Sequence, residues 1–498
     1  MKLNRYGLLL LIILLIGLSL RLYKLTSESI WLDEGIAIKL ALANPFLVII
    51  ERAFNNHPPL FFVLLHYWCE IFDYSIYFVR LFAVMFGILT IYMIYKVGRL
   101  IFNETTALLS ALLVSVSLFH IYYSQEARMY TMIAFLTLLS MYFFIRLFEQ
   151  KKRLVSIGYT VSSLCLLYTH YSSWYVVLIQ NLHYLTIFPL YKYFYKEKCQ
   201  LDFKRWFEFQ GVLVISYLPW LKVALSRLSR IQGARDWIPI PTPFSVTASF
   251  TEFSGTLTLL VIFLILIFFL AFPIKRSSFN LRLPAARNNY LLWLWLLIPI
   301  FVPYLTSQFS ASLYVTKYAI SASLAFYLLI ALGIDKIKDK YVKFVTIGLI
   351  LILSMPLIKK YYVETNKLPW EEIARYVEKN AKRGDLIIFN DRVCSGEAFG
   401  YYFTRLDVKE KVLMTKESGA HLTDINKGEN VEALWSAVQG YDRVWIMLIH
   451  NLDIRRLIKK RFIDSYKFLY HKIYTSRSYI TGRIDNFVEL FLLEKKNK

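Results

Sequence analysis

Long apolar runs, interrupted by short charged ones, fill the chain as far as residue 358. A helix needs about 20 consecutive apolar residues to cross a bilayer. Runs of that kind fall at 6–20, 76–98, 105–122, 130–147, 153–169, 173–191, 208–224, 248–272, 290–306, 316–334 and 342–358. The first follows Lys2 and Arg5, as a signal-peptide core would. Arg21-Leu22-Tyr23-Lys24 offers no small-residue cleavage site, however, so the run reads as a retained helix. Leu60 to Phe72 is apolar but only about 13 residues long, too short to span. With His66 and Glu70 inside it, it reads as an interfacial or re-entrant helix.

The polar positions between the runs give orientation. Lys and Arg gather in 146–153, 192–205, 275–287 and 336–343, alternating with less basic loops, which assigns the basic set to the cytoplasm. The segment after Leu20 is then outside and Lys96-Val97-Gly98-Arg99 inside, so an odd number of crossings separates them. Eleven crossings put the N-terminus in the cytoplasm and the C-terminus outside.

Beyond residue 358 the period changes. Pro369 opens an amphipathic helix running to Lys379, and Leu386 to Phe389 reads as a buried strand. Val431–Val438, a stop at Gly440 and then Arg443–Leu448 repeat that helix–turn–strand pattern, and Phe487–Leu493 closes as a strand. The expected architecture is an all-α polytopic membrane protein with about eleven transmembrane helices and juxtamembrane helices. Its transmembrane domain is 1–358, with a first outer loop at 21–75. A small extracytoplasmic α/β domain follows at 359–498. The strand order of that domain is not legible.

Composition agrees. The chain has 498 residues, 57% hydrophobic, 17% aromatic and 19% charged, with mean hydropathy +0.45. Its net charge of +23 lies largely in the basic loops, so it reports topology in an integral protein of the cytoplasmic membrane and not a nucleic-acid partner. Cys69, Cys165, Cys199 and Cys394 form no C-x-x-C pair and no disulfide framework. No G-x-G-x-x-G or Walker pattern occurs, so no nucleotide cofactor is expected.

The topology delivers a particular polar set to the outer face. Asp33 and Glu34 lie in S-I-W-L-D-E-G, and His57 opens H-P-P-L. Gln125, Glu126 and Arg128 lie in Y-Y-S-Q-E-A-R-M-Y, His170 follows the fifth crossing, and Lys317 with Tyr318 begins the tenth. Arg227, Arg230, Arg235 and Asp236 occupy the loop before the eighth. Carboxylates beside cations at a membrane boundary suit transfer of a sugar from a polyprenyl phosphate. The leaving phosphate needs Arg or Lys, and the acceptor needs a carboxylate base. The lipid carrier accounts for the membrane setting.

The motifs W-L-D-E, H-P-P-L and Y-Y-S-Q-E-A-R-M-Y resemble those of the GT-C glycosyltransferases, especially the protein O-mannosyltransferase and aminoarabinose-transferase superfamily, over roughly residues 1–340. T-K-Y-A-I-S resembles that family's late Arg-Tyr motif, with Lys317 in place of arginine, and L-P-W-E-E-I-A-R-Y resembles the start of its soluble domain. The resemblance implies a polyprenyl-phosphate-linked sugar as donor, a protein, lipid or glycan as acceptor, and inversion at the anomeric carbon. It implies catalysis by Asp33 accompanied by Glu34, and donor-phosphate contacts from Arg128, Lys317 and Tyr318. His57, Glu126 and His170 are further site candidates. A divalent metal is open, with Asp33, Glu34 and His57 as its ligands if one binds.

Each residue has a structural alternative. Asp33 and Glu34 suit the first turn of a helix from Gly35 to Leu42, where the dipole favours carboxylates. His57 before two prolines suits a rigid loop. Glu126 and Arg128, two apart, would not face each other on one helix, and Arg128 and Lys317 could reach lipid head groups. His170 and Tyr171 suit an aromatic belt. A polyprenyl-lipid or solute transporter and a non-catalytic glycan-binding scaffold are the competing functions. Transporters typically carry internal repeats and broken polar helices at mid-membrane, and no such repeat is visible.

Overall fold

The computed structural model describes residues 5–54, 57–189, 200–231, 238–271, 283–389, 392–405, 407–412, 427–449, 458, 460–478 and 484–496. The chain divides into two compact units. The first is Met1–Leu25 with Leu40–Ile358, and the second is Thr26–Lys39 with Lys359–Lys498. The short acidic segment of the first loop therefore clusters with the C-terminal residues.

In chain order the helices begin with α1 (Arg5–Leu22), α2 (Leu32–Leu42), α3 (Pro45–Phe54), α4 (Leu60–Ile71) and α5 (Ile76–Ile101). There follow α6 (Glu104–Val116), α7 (Leu118–Ser124), α8 (Tyr130–Glu149), α9 (Arg153–Leu167), α10 (Trp174–Pro189) and α11 (Phe203–Ile231). The series continues with α12 (Pro243–Ser254), α13 (Leu257–Ile265), α14 (Leu283–Phe309), α15 (Ile320–Lys336) and α16 (Lys340–Val363).

A helical segment stands at each of the eleven expected crossings, but length and composition qualify fewer as spans. Among the described residues six helices pass: α1, α5, α8, α14, α15 with its leading turn, and α16. The pairs α6–α7, bent by 60°, and α12–α13, bent by 88°, raise the number to eight. Twelve-residue α4 is too short to cross. Along α16 the side chains of Tyr341, Phe344, Val345, Ile352 and Met355 are exposed, as suits a surface solvated by hydrocarbon chains.

Local chemistry explains both bends. Ser117 Oγ accepts the His120 N–H at 3.3 Å and caps α7, starting a second helix where the apolar run alone predicts one. At the other bend Gly255 has φ +88°, a conformation that a Cβ disfavours. Thr256 then caps α13 by accepting from Leu259 N–H at 3.1 Å.

Helices α8 to α11 share a buried polar chain. Ser163 and Ser140 hydroxyls lie 2.9 Å apart, and Gln180 Nε2 donates to Ser140 at 2.8 Å. Tyr159 donates to Gln180 Oε1 at 3.2 Å and accepts from Gln210 Nε2 at 3.1 Å. Gln210 accepts from Asn181 at 2.9 Å, and Asn181 accepts from Trp206 Nε1 at 3.1 Å. Where the hydrophobic effect no longer drives association, such bonds and close packing hold helices together.

The second unit adds α17 (Trp370–Asn380), β1 (Leu386–Phe389), α18 (Arg392–Tyr402), β2 (Lys409–Val412), α19 (Lys427–Val438), β3 (Arg443–Ile449), β4 (Tyr466–Arg477) and β5 (Ile484–Lys495). The strand order is β2-β1-β3-β5-β4. β1 is parallel to β2 and β3, while β5 runs antiparallel to β3 and β4. The wholly apolar β1 is buried along its length, as a central parallel strand must be. On one face Ile388, Val444, Ile446, Phe491 and Leu493 pack against Leu434, Ala437 and Val438 of α19. The strands expected at 386–389, 443–448 and 487–493 are present, while β2 and β4 are additional.

Candidate active site

Two groups of the expected residues occur, one in each unit. In the second unit, α2 begins at Leu32 and carries Asp33 and Glu34 in its first turn. The N–H groups of Glu34 and Gly35 both donate to Trp31 O at 3.0 Å, and the Glu34 carboxylate turns back toward Trp31 N–H at 3.4 Å. Asp33 is half-buried and Glu34 fully buried. Lys367 Nζ donates to Glu34 Oε2 at 2.8 Å, with the two side chains 8% and 1% exposed. A carboxylate so removed from water requires such a cation. Gly35 is small for a geometric reason: a Cβ there would come within 2.6 Å of the Glu397 main-chain oxygen.

In the first unit, His57 and the two prolines lead into α4, whose Leu60 N–H donates to Tyr168 O at 3.1 Å. That bond ties H-P-P-L to the turn after α9. There His170 Nδ1 accepts the Ser172 N–H at 3.0 Å, so the neutral ring carries its proton on Nε2. His57 stacks on His170 with centroids 5.0 Å apart, and His170 meets the Tyr318 ring at 4.8 Å. Lys317 Nζ lies 5.5 Å from the Tyr130 centroid and 6.0 Å from that of Tyr318, within cation–π reach. The structure thus gathers His57, His170, Lys317, Tyr318 and the first residue of α8.

Glu126 and Arg128 lie on neither helix but in the tight turn between α7 and α8, where Arg128 N–H donates to Glu126 O at 2.7 Å. Both are buried, 1% and 3% exposed. Gln125 anchors the turn by donating to Arg21 O at 2.9 Å and Tyr23 O at 2.8 Å. The side chains of Arg227 and Arg230, and residues Arg235 and Asp236 entirely, lie outside the described residues.

Two relevant side chains escaped the sequence reading. Glu252, near the end of α12, has Thr316 as a hydrogen-bonding partner and Lys317 as a neighbouring charge. Its signal was available, as a carboxylate in F-T-E-F-S-G-T inside an apolar run, and such groups are costly unless used. Lys367 gave no signal, because only folding brings it to Glu34.

Among the described residues no group of three or more His, Cys, Asp or Glu side chains is arranged to hold a metal ion. The metal ligand set of Asp33, Glu34 and His57 therefore finds no support in this geometry, and no chemical step is assigned to a metal.

The family model described as dolichyl-phosphate-mannose-protein mannosyltransferase matches residues 56–201. No curated protein sequence matches significantly. Among solved structures, ArnT from Cupriavidus metallidurans bound to undecaprenyl phosphate has a TM-score of 0.59 at 10% identity, over 96% of this chain and 97% of that one. The Archaeoglobus fulgidus oligosaccharyltransferase AglB, with an inhibitory peptide and a dolichol-phosphate, scores 0.52 at 10% identity, over 97% and 74%. The same oligosaccharyltransferase with zinc and sulfate scores 0.50 at 13% identity, over 88% and 67%. This integral membrane protein thus shares the fold of ArnT and AglB over nearly its whole length, and its residues 56–201 carry the mannosyltransferase family signature.

Proposed function

We propose that the chain transfers a monosaccharide from a polyprenyl-phosphate carrier to a protein, lipid or glycan acceptor at the outer face of the cytoplasmic membrane, with inversion. The observation that carries this reading is the His57–His170–Tyr318–Lys317–Tyr130 cluster. It pairs a cation with aromatic faces at the ends of apolar helices, and His57, Tyr130 and His170 belong to the stretch matched by the mannosyltransferase family model. Such a site suits a lipid phosphate on one side and a sugar ring on the other. Undecaprenyl phosphate and dolichol-phosphate, the lipids bound by ArnT and AglB, are lipid phosphates of the kind that the cation would meet.

In this mechanism Asp33 accepts the proton of an acceptor hydroxyl or amine as its oxygen or nitrogen attacks the anomeric carbon. The bond from that carbon to the phosphate oxygen breaks in the same displacement, and its electron pair leaves on the lipid phosphate. Arg128, through its planar fork, and Lys317, as a point charge, stabilise that developing charge. Tyr318 orients the phosphate, and the stacked His57 and His170 border the sugar. Glu252 balances Lys317 before the donor arrives. The buried polar chain of α8–α11 contains no titratable carboxylate, histidine or lysine, which argues against a proton- or ion-coupled transport path there.

The test is sugar transfer by purified protein from a panel of polyprenyl-phosphate sugars to protein, lipid and glycan acceptors. Transfer with release of polyprenyl phosphate supports the reading. Movement of lipid or solute across vesicles without any transfer overturns it.

A further inference from the structure

The contacts within the second unit bear on what the C-terminal residues do for the reaction. The segment Thr26–Lys39 carries Asp33, and it is fastened to Lys359–Lys498 along its length. Glu28 accepts the main-chain N–H groups of Asn366 and Lys367, each at 3.0 Å, and the Asn366 amide at 3.2 Å. Ser29 Oγ accepts the Glu371 N–H at 3.1 Å, satisfying one of the orphan donors in the first turn of α17. Tyr402 of α18 accepts the Ile30 N–H at 2.9 Å. Lys39 pairs with Glu397 at 2.8 Å, though in the open.

At the centre is the buried Lys367–Glu34 pair. An exposed pair such as Lys39–Glu397 contributes little. A buried one is different. Removing one partner leaves a desolvated charge that forces its surroundings to rearrange, whereas replacing both with apolar side chains of similar size is often tolerated. Glu34 is adjacent to Asp33 in the first turn of α2, so any shift of Glu34 moves Asp33 as well.

We infer that Lys367 is a positioning residue: by pairing with Glu34 it fixes the first turn of α2, so that the C-terminal unit sets the position of the catalytic carboxylate. The inference rests on the reading of Asp33 as base. It gives Glu34 a role through geometry, not proton transfer, and makes the C-terminal unit part of the catalytic apparatus.

The experiment compares full-length parent, Lys367→Met, Lys367→Met with Glu34→Leu, and Asp33→Asn in detergent or nanodiscs, following transfer and amide hydrogen exchange over residues 30–38. Displacing a reacting group by about 1 Å costs roughly 100-fold. Lys367→Met should therefore lower kcat about 10- to 100-fold, with donor KM within about 3-fold, and speed exchange over 30–38. The double variant should recover most of the loss in both readouts. Parental kcat and exchange in Lys367→Met, or a double variant no better than the single one in both, would overturn the inference. If Lys367→Met cannot be purified folded, the double variant decides: near-parental kcat supports the inference, and inactivity refutes it. Full activity in Asp33→Asn would remove the reading of the base instead, while the exchange data would still judge the clamp.

Discussion

Arg21 Nε donates to Ser124 Oγ at 3.0 Å in the interior of the membrane unit, with no part of the Arg21 side chain exposed. Its remaining nitrogens donate to main-chain oxygens: Nη1 to Gly17 and Ser115 at 3.0 Å, and Nη2 to Val114 at 3.1 Å. Val114 and Ser115 lie in the last turn of α6, so the guanidinium takes carbonyls that the bend at Ser117 has deprived of helical partners. Space for it exists because Gly87 lacks a Cβ, which would lie 2.4 Å from Ser124 Oγ and 3.1 Å from Arg21 Nε.

Arg21→Met should therefore destabilise strongly. Each buried acceptor left unsatisfied costs about 1–3 kcal/mol. A drop of several degrees in the thermal midpoint of the purified protein is expected, and an unchanged midpoint would show that the carbonyls find other donors.

Gln180 gives a contrasting case. In Gln180→Leu, Tyr159 keeps Gln210 and Ser140 keeps Ser163 as partners. Interhelical hydrogen bonds in membranes average about 0.6 kcal/mol with a maximum near 1.7. The thermal shift should be clearly smaller than for Arg21→Met. The reverse order would mean that the polar chain, not the Arg21 node, holds the bundle.

Gly35→Ala tests the fit of α2. In an exposed helix this change stabilises by roughly 0.5–1 kcal/mol. Here the new Cβ would sit 2.6 Å from the Glu397 oxygen, so the sign reverses and α2 must shift. Lower stability together with a fall in kcat is expected. A stabilised, fully active variant would contradict the packing.

In the proposed mechanism Glu252, whose neighbouring charge is Lys317, competes with the donor phosphate for that lysine. Glu252→Gln should tighten binding of sugar-free polyprenyl phosphate by roughly 3- to 10-fold, about 0.6–1.4 kcal/mol of coupling. The same change in a Lys317→Ala background should have no effect. Equal tightening in both backgrounds would detach Glu252 from Lys317.

Much of this was legible in the chain, for reasons that differ by level. The membrane helices announce themselves because lipid demands long apolar runs with every backbone group paired internally. The bends at Ser117 and Gly255 are quieter, since a single capping hydroxyl or glycine is common in apolar helices. β2 was hidden because K-E-K-V is charged, and β4 because K-F-L-Y-H-K-I-Y-T-S-R mixes periods at a sheet edge. Local motifs named His57, His170, Lys317 and Tyr318, and folding assembles them. The Lys367–Glu34 pair spans 333 positions, and no local pattern could announce it.

The central claim is transfer from a polyprenyl-phosphate sugar with Asp33 as base. The most direct measurement is kcat of Asp33→Asn beside the parent, at equal folded fraction, with a donor that the parent uses. The change keeps shape and removes the base, so kcat should fall by about 100- to 10,000-fold, while binding of polyprenyl phosphate stays near parental. Equal turnover in the two proteins would contradict the assignment and move the chemistry off Asp33.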